Sequence, residues 1–249
     1  MKLKDKVAII TGGGRGMGRA IACAYAQEGA RLIVTAAREV NEIQEVASLT
    51  GATALQADVT KIEDVDHVVQ TALSTYGKID ILVNNAARGM KYVNGEFMTT
   101  PSPFWQTDPE AWRMIIDTNV NGVFLMTRTV VPIMLRQRYG RIINITINQE
   151  TMRRKGFSPY GPSKAALESM STIWSQELEA TGITLNMLLP GGATHTGMIP
   201  SKFPKDRLKE LLEPEVIVPA AIYLASDDAA YVNGQRIVAI EWNKEKGKG

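Results

Sequence analysis

Val7-Ala8-Ile9-Ile10 is a short apolar run that breaks directly into Thr11-Gly12-Gly13-Gly14-Arg15-Gly16-Met17-Gly18, and a helical pattern follows from Arg19 to Glu28. A strand that feeds a helix through a glycine turn calls for a crossover connection and a parallel partner strand. Gly12, Gly16 and Gly18 lack side chains, so the backbone there can approach a pyrophosphate, and the helix N-terminus adds N–H donors and a positive dipole. Arg15 and Met17 share the turn. The spacing Gly-x-x-x-Gly-x-Gly is neither the Gly-x-Gly-x-x-Gly fingerprint nor a P-loop, which needs Gly-Lys-Ser/Thr. On position alone, a purely structural glycine turn stands beside the phosphate cradle.

The alternation continues along the chain. Strands are expected at Arg31–Thr35, Ala52–Gln56, Ile79–Val83, Arg141–Thr146, Ile183–Leu189 and Arg236–Ile240. Helices are expected at Glu39–Leu49, Lys61–Tyr76, Pro109 to about Arg138, Ser163–Ala180 and Pro214–Ser226. This predicts an α/β fold: a doubly wound Rossmann-type parallel sheet of about seven strands, with helices on both faces and one domain over residues 1–249. Ligand is expected at the carboxyl ends of the strands. Residues 86–108 lack periodicity but hold Met90, Tyr92, Phe97, Met98, Phe104 and Trp105, which predicts a loop over the substrate or an oligomer contact. Residues 192–213 form a second candidate substrate lid, and 243–249 a frayed tail.

Composition excludes several classes. The chain is 45% apolar and 22% charged with a net charge of +2, and its basic residues form no stripe of the kind nucleic acid requires. One cysteine, Cys23, gives neither a disulfide framework nor a cysteine metal site, and no metal is expected. His67 reads as solvated, whereas His195 falls near the expected cofactor. No signal segment and no run of about 18 apolar residues is present, so no membrane span is expected and the expected location is cytoplasmic.

Tyr160 and Lys164 stand four residues apart where a helical pattern begins, which puts both side chains on one face. An ammonium beside a phenol favours the phenolate, so such a Tyr can exchange protons near neutral pH. After the second strand comes Thr35-Ala36-Ala37-Arg38, without the carboxylate that holds a ribose 2′-OH in NAD sites. Arg15 and Arg38 are candidates to meet a 2′-phosphate, so NADP(H) is preferred, with NAD(H) possible. Asp58 reads either as a partner for an adenine amino group or as a solvated turn carboxylate.

With these residues in order, the chain resembles the short-chain dehydrogenase/reductase family over nearly its whole length. The matching motifs are Thr11-Gly12-x-x-x-Gly16-x-Gly18, Asp58-Val59, Asn84-Asn85-Ala86-Ala87, Asn119, Tyr160-x-x-x-Lys164, and Pro190-Gly191 followed by Thr194 and Thr196. The resemblance implies hydride transfer between nicotinamide and a carbonyl or alcohol carbon of a small molecule. It makes Tyr160 the proton donor, Lys164 the group that lowers its pKa and holds the nicotinamide ribose, and Asn119 the holder of a water linking Lys164 to solvent. It sets Asn84 and Ala86 on the adenosine side and the Pro190–Thr196 segment at the carboxamide. It also implies a homotetramer or homodimer packed through the long helices, where Met170, Ile173 and Trp174 could serve a contact or the core.

One position departs from the pattern. The family has a Ser thirteen residues before the Tyr, and here that position is Ile147. Either Thr146 or Asn148 takes over, or the site acts without the hydroxyl, or the position is disabled. The expected function is an NADPH-preferring carbonyl reductase or alcohol dehydrogenase for a fairly apolar ketone or secondary alcohol. The alternative is a catalytically impaired cofactor-binding relative.

Overall fold

Alternating apolar positions along each strand decide how this chain is layered. In a computed structural model that describes residues 1–200 and 202–246, β1 (Val7–Thr11), β2 (Arg31–Ala36), β3 (Thr53–Gln56), β4 (Ile81–Asn84), β5 (Gly140–Ile145), β6 (Ile183–Leu189) and β7 (Arg236–Val238) form one sheet. Its order is β3-β2-β1-β4-β5-β6-β7, and every pairing is parallel. The chain winds outward from β1 in both directions, so the order reverses between β1 and β4 and leaves a crevice there at the carboxyl ends.

Ala8, Ile10, Leu32, Val34, Ile81, Val83, Ile143 and Ile145 face one side of the sheet. There they meet Ile21 and Tyr25 of α1 (Gly16–Gln27), Ile43 and Val46 of α2 (Val40–Thr50), and Ala221 and Leu224 of α8 (Val218–Ala225). The alternate residues Ile9, Ile33, Leu82, Ile142 and Leu185 face the other side. Val65, Val68 and Val69 of α3 (Ile62–Tyr76) and Met126, Val130 and Ile133 of α5 (Gly122–Gln137) cover them. A strand's period of two serves both layers at once, which is why these strands read as unbroken apolar runs.

Three boundaries differ from expectation. The long helix over 109–138 is α4 (Pro109–Ile116) and α5, joined by a π-helical stretch, Asp117–Asn121. The Tyr/Lys helix, α7 (Tyr160–Glu177), starts three residues earlier than its apolar pattern, and a single turn, α6 (Gln149–Met152), precedes it. The last strand stops at Val238, where the chain turns into α9 (Ala239–Lys246). Residues 243–246 are therefore helical rather than frayed: the Trp242 ring lies 5.3 Å from Tyr223, and Asn243 Nδ2 donates to the Val216 carbonyl at 2.8 Å. Residues 247–249 of the expected tail lie outside the described residues. Among those residues, no helix is long and apolar enough to cross a membrane, and no group of three or more His, Cys, Asp or Glu could hold a metal ion.

Candidate active site

A cleft of about 510 Å³ runs along the carboxyl ends of the central strands. One end is the glycine turn. Gly12 has φ +63°, and a Cβ there would lie 3.0 Å from Ala86 Cα, so the turn and the exit of β4 touch backbone to backbone. Asn85 locks that contact, because its Nδ2 donates to the carbonyls of Thr11 (3.0 Å) and Gly12 (2.8 Å). Thr11 Oγ1 in turn accepts from the N–H groups of Asn85 and Ala86, both at 3.1 Å. No side chain caps α1 and no acidic residue stands in its first turn, which leaves the helix N-terminus as an open anion site. An open N-terminus behind side-chain-free backbone fits a dinucleotide pyrophosphate.

Gly12, Arg15, Gly16, Met17, Arg38, Asp58, Val59, Ala86, Tyr160, Lys164, Pro190, Thr194 and Thr196 line the cleft. Four other expected site residues do not. Gly18 packs helix on strand: a Cβ there would lie 2.1 Å from the Gly12 carbonyl oxygen. Asn84 is 2% exposed, and its amide is spent inside the fold, donating to Thr127 Oγ1 (3.1 Å) and Asn144 Oδ1 (2.8 Å). Gly191, at φ +101°, turns its open side onto Ile240 rather than the cleft. Asn119 is fully buried, as described below. Asp58 lines the cleft, but its Oδ1 accepts from the Thr60 N–H (3.0 Å) and hydroxyl (2.8 Å), the closure of a turn.

Residues 35–38 carry no carboxylate, and the first ones beyond them are turned to Arg15. Glu39 and Glu42 both line the cleft and hold the Arg15 guanidinium at 3.0 and 3.2 Å, because the first turn of α2 packs against the glycine turn. Arg38 has no carboxylate within ion-pair distance among the described residues.

At the other end stand Tyr160 and Lys164. Both are buried, and the Lys164 ammonium donates to the Ile145 carbonyl at 2.8 Å. Burial pushes the Tyr160 phenol above its ordinary value and, despite nearby Glu168, brings Lys164 down to about 8. Here the structure differs from the expected lysine-assisted phenol: desolvation dominates both groups. The closest hydrogen-bonding neighbour of the Tyr160 hydroxyl is the Met198 sulfur at 3.9 Å.

Asn119, in the π-helical stretch, has its amide engaged by the fold. Its Oδ1 accepts from the Arg88 N–H (2.8 Å), and its Nδ2 donates to the Arg88 carbonyl (2.9 Å) and Ser163 Oγ (3.0 Å). Both amide protons are thereby committed. The Ile147 side chain joins the apolar cluster of Met90, Phe97, Phe157 and Tyr160, and its carbonyl accepts from Arg236 Nη2 at 2.8 Å. Its neighbours are engaged elsewhere: the Thr146 hydroxyl donates to Glu168 Oε1 (2.9 Å) and Asn148 Nδ2 to the Gly191 carbonyl (3.0 Å). The Thr151 hydroxyl also lines this end and has no hydrogen-bond partner among the described residues.

Sequence reasoning quoted Asn85 within a motif but gave it no role, and passed over Met198, Arg154 and the Glu168–Arg236 pair at 2.8 Å. Only the second Asn of Asn84-Asn85, sitting past the end of a strand where a turn must be tied, carried a readable signal.

A doubly wound sheet, a phosphate-ready glycine turn at its switch point, and a Tyr/Lys helix facing the same cleft define a dinucleotide-dependent oxidoreductase. The chain belongs to the short-chain dehydrogenase/reductase family, whose profile, described as short chain dehydrogenase, matches residues 6–207. It is 34% identical over 250 residues to a 3-oxoacyl-(acyl-carrier-protein) reductase of Escherichia coli, covering 95% of this chain and 96% of that one. It is 32% identical over 248 residues to the enzyme of the same name from Thermotoga maritima, with 95% and 97% covered. Among solved structures, it superposes with a TM-score of 0.84 and 32% identity on the 3-ketoacyl-(acyl-carrier-protein) reductase of Brucella melitensis in complex with NADH, covering 95% of this chain and 97% of that one.

Proposed function

We propose that the protein reduces the carbonyl of an apolar ketone, or oxidises the matching secondary alcohol, with NADP(H) as the preferred cofactor. The observation that carries this reading is the placement of Tyr160. Its buried phenol shares one cleft with the glycine turn, and Met90, Phe97, Phe157, Ile147 and Met198 wall its end of that cleft. Nicotinamide, when bound, supplies or accepts the hydride. Tyr160 gives its proton to the nascent alkoxide oxygen, and its raised pKa keeps it protonated and ready at neutral pH. Lys164, tied to the Ile145 carbonyl, orients the cofactor ribose beside Tyr160 and returns a proton to the phenolate, regaining its own from solvent. Gly12, Gly16, Met17 and the α1 N-terminus hold the pyrophosphate, Ala86 and Val59 flank the adenosine, and Pro190, Thr194 and Thr196 flank the carboxamide. Arg38, free of ion pairs among the described residues, meets the 2′-phosphate; Arg15 joins it by exchanging its exposed Glu39 and Glu42 partners, a surface pairing worth at most about 1 kcal/mol each. A homodimer or homotetramer packed through α5 and α7 fits the exposed Phe124 and Ile173 on those helices.

The test is NADPH oxidation against a ketone panel in which bulky aryl and alkyl ketones are compared with small polar ones. Turnover of the bulky set that vanishes in Tyr160→Phe is the expected result. Equal rates in Tyr160→Phe, or no preference for bulk, would overturn it. The second reading, a cofactor-binding relative with impaired turnover, is favoured by Ile147 together with the engagement of Thr146 and Asn148. Tight NADPH binding with no ketone reduced would select it.

A further inference from the structure

The carboxylates lining the cleft are confined to one end of it, where Arg15 and Arg38 also stand. All three, Glu39, Glu42 and Asp58, stand at the glycine-turn end. The Tyr160 end carries Arg154 beside the buried Lys164, with Arg88 on the facing loop, whereas the Lys91 ammonium lies on the Gly197 carbonyl, next to Arg15. None of Arg88, Lys91 and Arg154 has a carboxylate within ion-pair distance among the described residues. Of the nearby acids, Glu96 pairs with Lys202 and Glu168 with Arg236, and Glu150, four residues before Arg154, is exposed and off the cleft lining.

Arg154 sits at the rim of the apolar pocket. Its guanidinium lies over the Phe157 ring at 5.2 Å, and Phe157 meets Phe97 edge to face at 5.5 Å. Both rings belong to the cluster that contains Tyr160. On the facing loop, the Arg88 guanidinium lies 5.2 Å over Tyr92, with its Nε on Thr118 Oγ1 at 3.1 Å. Lys91 reaches across the mouth to the Gly197 carbonyl. An apolar chamber rimmed by cations and free of carboxylates repels a cationic substrate and leaves a neutral one indifferent. It draws an anion in and orients it.

Building on the reductase reading above, we propose that the substrate carries a carboxylate on its apolar body, and that Arg154 receives it at the pocket rim. The planar guanidinium fork matches a carboxylate in two-point geometry and already lies over the Phe157 ring, 5.2 Å from its centre. Arg88 and Lys91 strengthen the field without having to touch the substrate. The carboxylate thereby fixes which end of the molecule points to Tyr160.

Calorimetric titration of the protein with phenylbutanoate and with uncharged phenylbutanamide, with and without NADP⁺, tests this independently of turnover. The acid is expected to bind about 10-fold tighter or more at low salt, and its advantage shrinks as salt screens the rim. Arg154→Gln should bring the two ligands within about two-fold of each other, whereas Arg153→Gln, an exposed neighbour off the cleft, should keep the preference. An amide that binds as tightly as the acid overturns the proposal, as does a preference that survives in Arg154→Gln or the failure of both ligands to bind. Acid preference without reduction of any ketone would defeat the reductase reading alone; ketone reduction without acid preference would defeat this one alone.

Discussion

Ile147→Ser tests the departure at the heart of the site. The substrate oxygen must be polarised by something besides Tyr160, and the two residues flanking Ile147 are engaged elsewhere: the Thr146 hydroxyl donates to Glu168, itself held by Arg236, and Asn148 gives one of its two amide protons to the Gly191 carbonyl. The Ile147 carbonyl is pinned by Arg236, so the loop is held in the register that presents residue 147 to the cleft. A hydroxyl placed there adds one donor to the developing alkoxide, and such a donor is worth about 100-fold or more in kcat, or about 2.7 kcal/mol. The cost is the half-buried part of an isoleucyl side chain, about 1 kcal/mol of stability at roughly 0.8 kcal/mol per buried methylene. Steady-state NADPH oxidation with one bulky ketone, run for both proteins beside a melting curve, should therefore show kcat rising by about two orders of magnitude while Tm falls a few degrees. A gain below about 3-fold would refute the reasoning, since a donor must then already be in place. Thr151, which lines this end with no hydroxyl partner among the described residues, would be the next to remove as Thr151→Val, and collapse in Asn148→Ala would point to that amide instead.

Three further outcomes follow from the same geometry. Lys164 has a folded-state pKa of about 8, below its ordinary 10.5, so between those values the folded protein holds fewer protons than the unfolded chain and its stability rises with pH. Urea unfolding at about pH 8 and about pH 9.5 should show the wild type gaining about 1.5 kcal/mol relative to Lys164→Met; a flat difference would mean that the ammonium is not desolvated. Arg38→Gln should raise the dissociation constant of NADPH about 10-fold and leave NADH within about two-fold, and an equal loss of both would deny it the 2′-phosphate. Gly18→Ala drives a methyl to 2.1 Å from a backbone oxygen and should cost about 2–3 kcal/mol in denaturant unfolding, whereas a cost under about 0.5 kcal/mol would show that α1 yields easily.

The sheet was legible because each strand is apolar on consecutive residues and each helix is apolar only on a stripe, a difference readable without contacts. The cofactor end was legible for the same local reason: a turn that needs Gly12 at positive φ announces itself. What escaped was set by contacts distant in sequence. Nothing near Glu42 says that it lies against Gly14, nothing near Asn84 says that its amide is met by Thr127 and Asn144, and nothing near Met198 says that its sulfur meets the Tyr160 hydroxyl. The C-terminal helix was missed because Asn243-Lys244-Glu245-Lys246 is polar on every side, and distant contacts anchor it: Trp242 on Tyr223 and the Asn243 amide on the Val216 carbonyl.

Asn119 shows how such a distant contact shapes the site. The buried positions Ala111, Ile115, Asn119 and Val123 recur every four residues, and in a straight α-helix each such step drifts by about 40°. Three steps would swing Val123 well away from the face set by Ala111. The π-helical stretch at Asp117–Asn121 widens the local turn and absorbs that drift, so α4 and α5 keep one buried face. The widened turn projects Asn119 inward, where its amide grips both backbone groups of Arg88 and the Ser163 hydroxyl one residue before Lys164. The loop that carries Arg88 and Lys91 and the helix that carries Tyr160 are thereby tied to a single buried side chain. Polarising and orienting groups on separate elements can act on one substrate only if those elements are held in fixed relation, and here one amide supplies that relation.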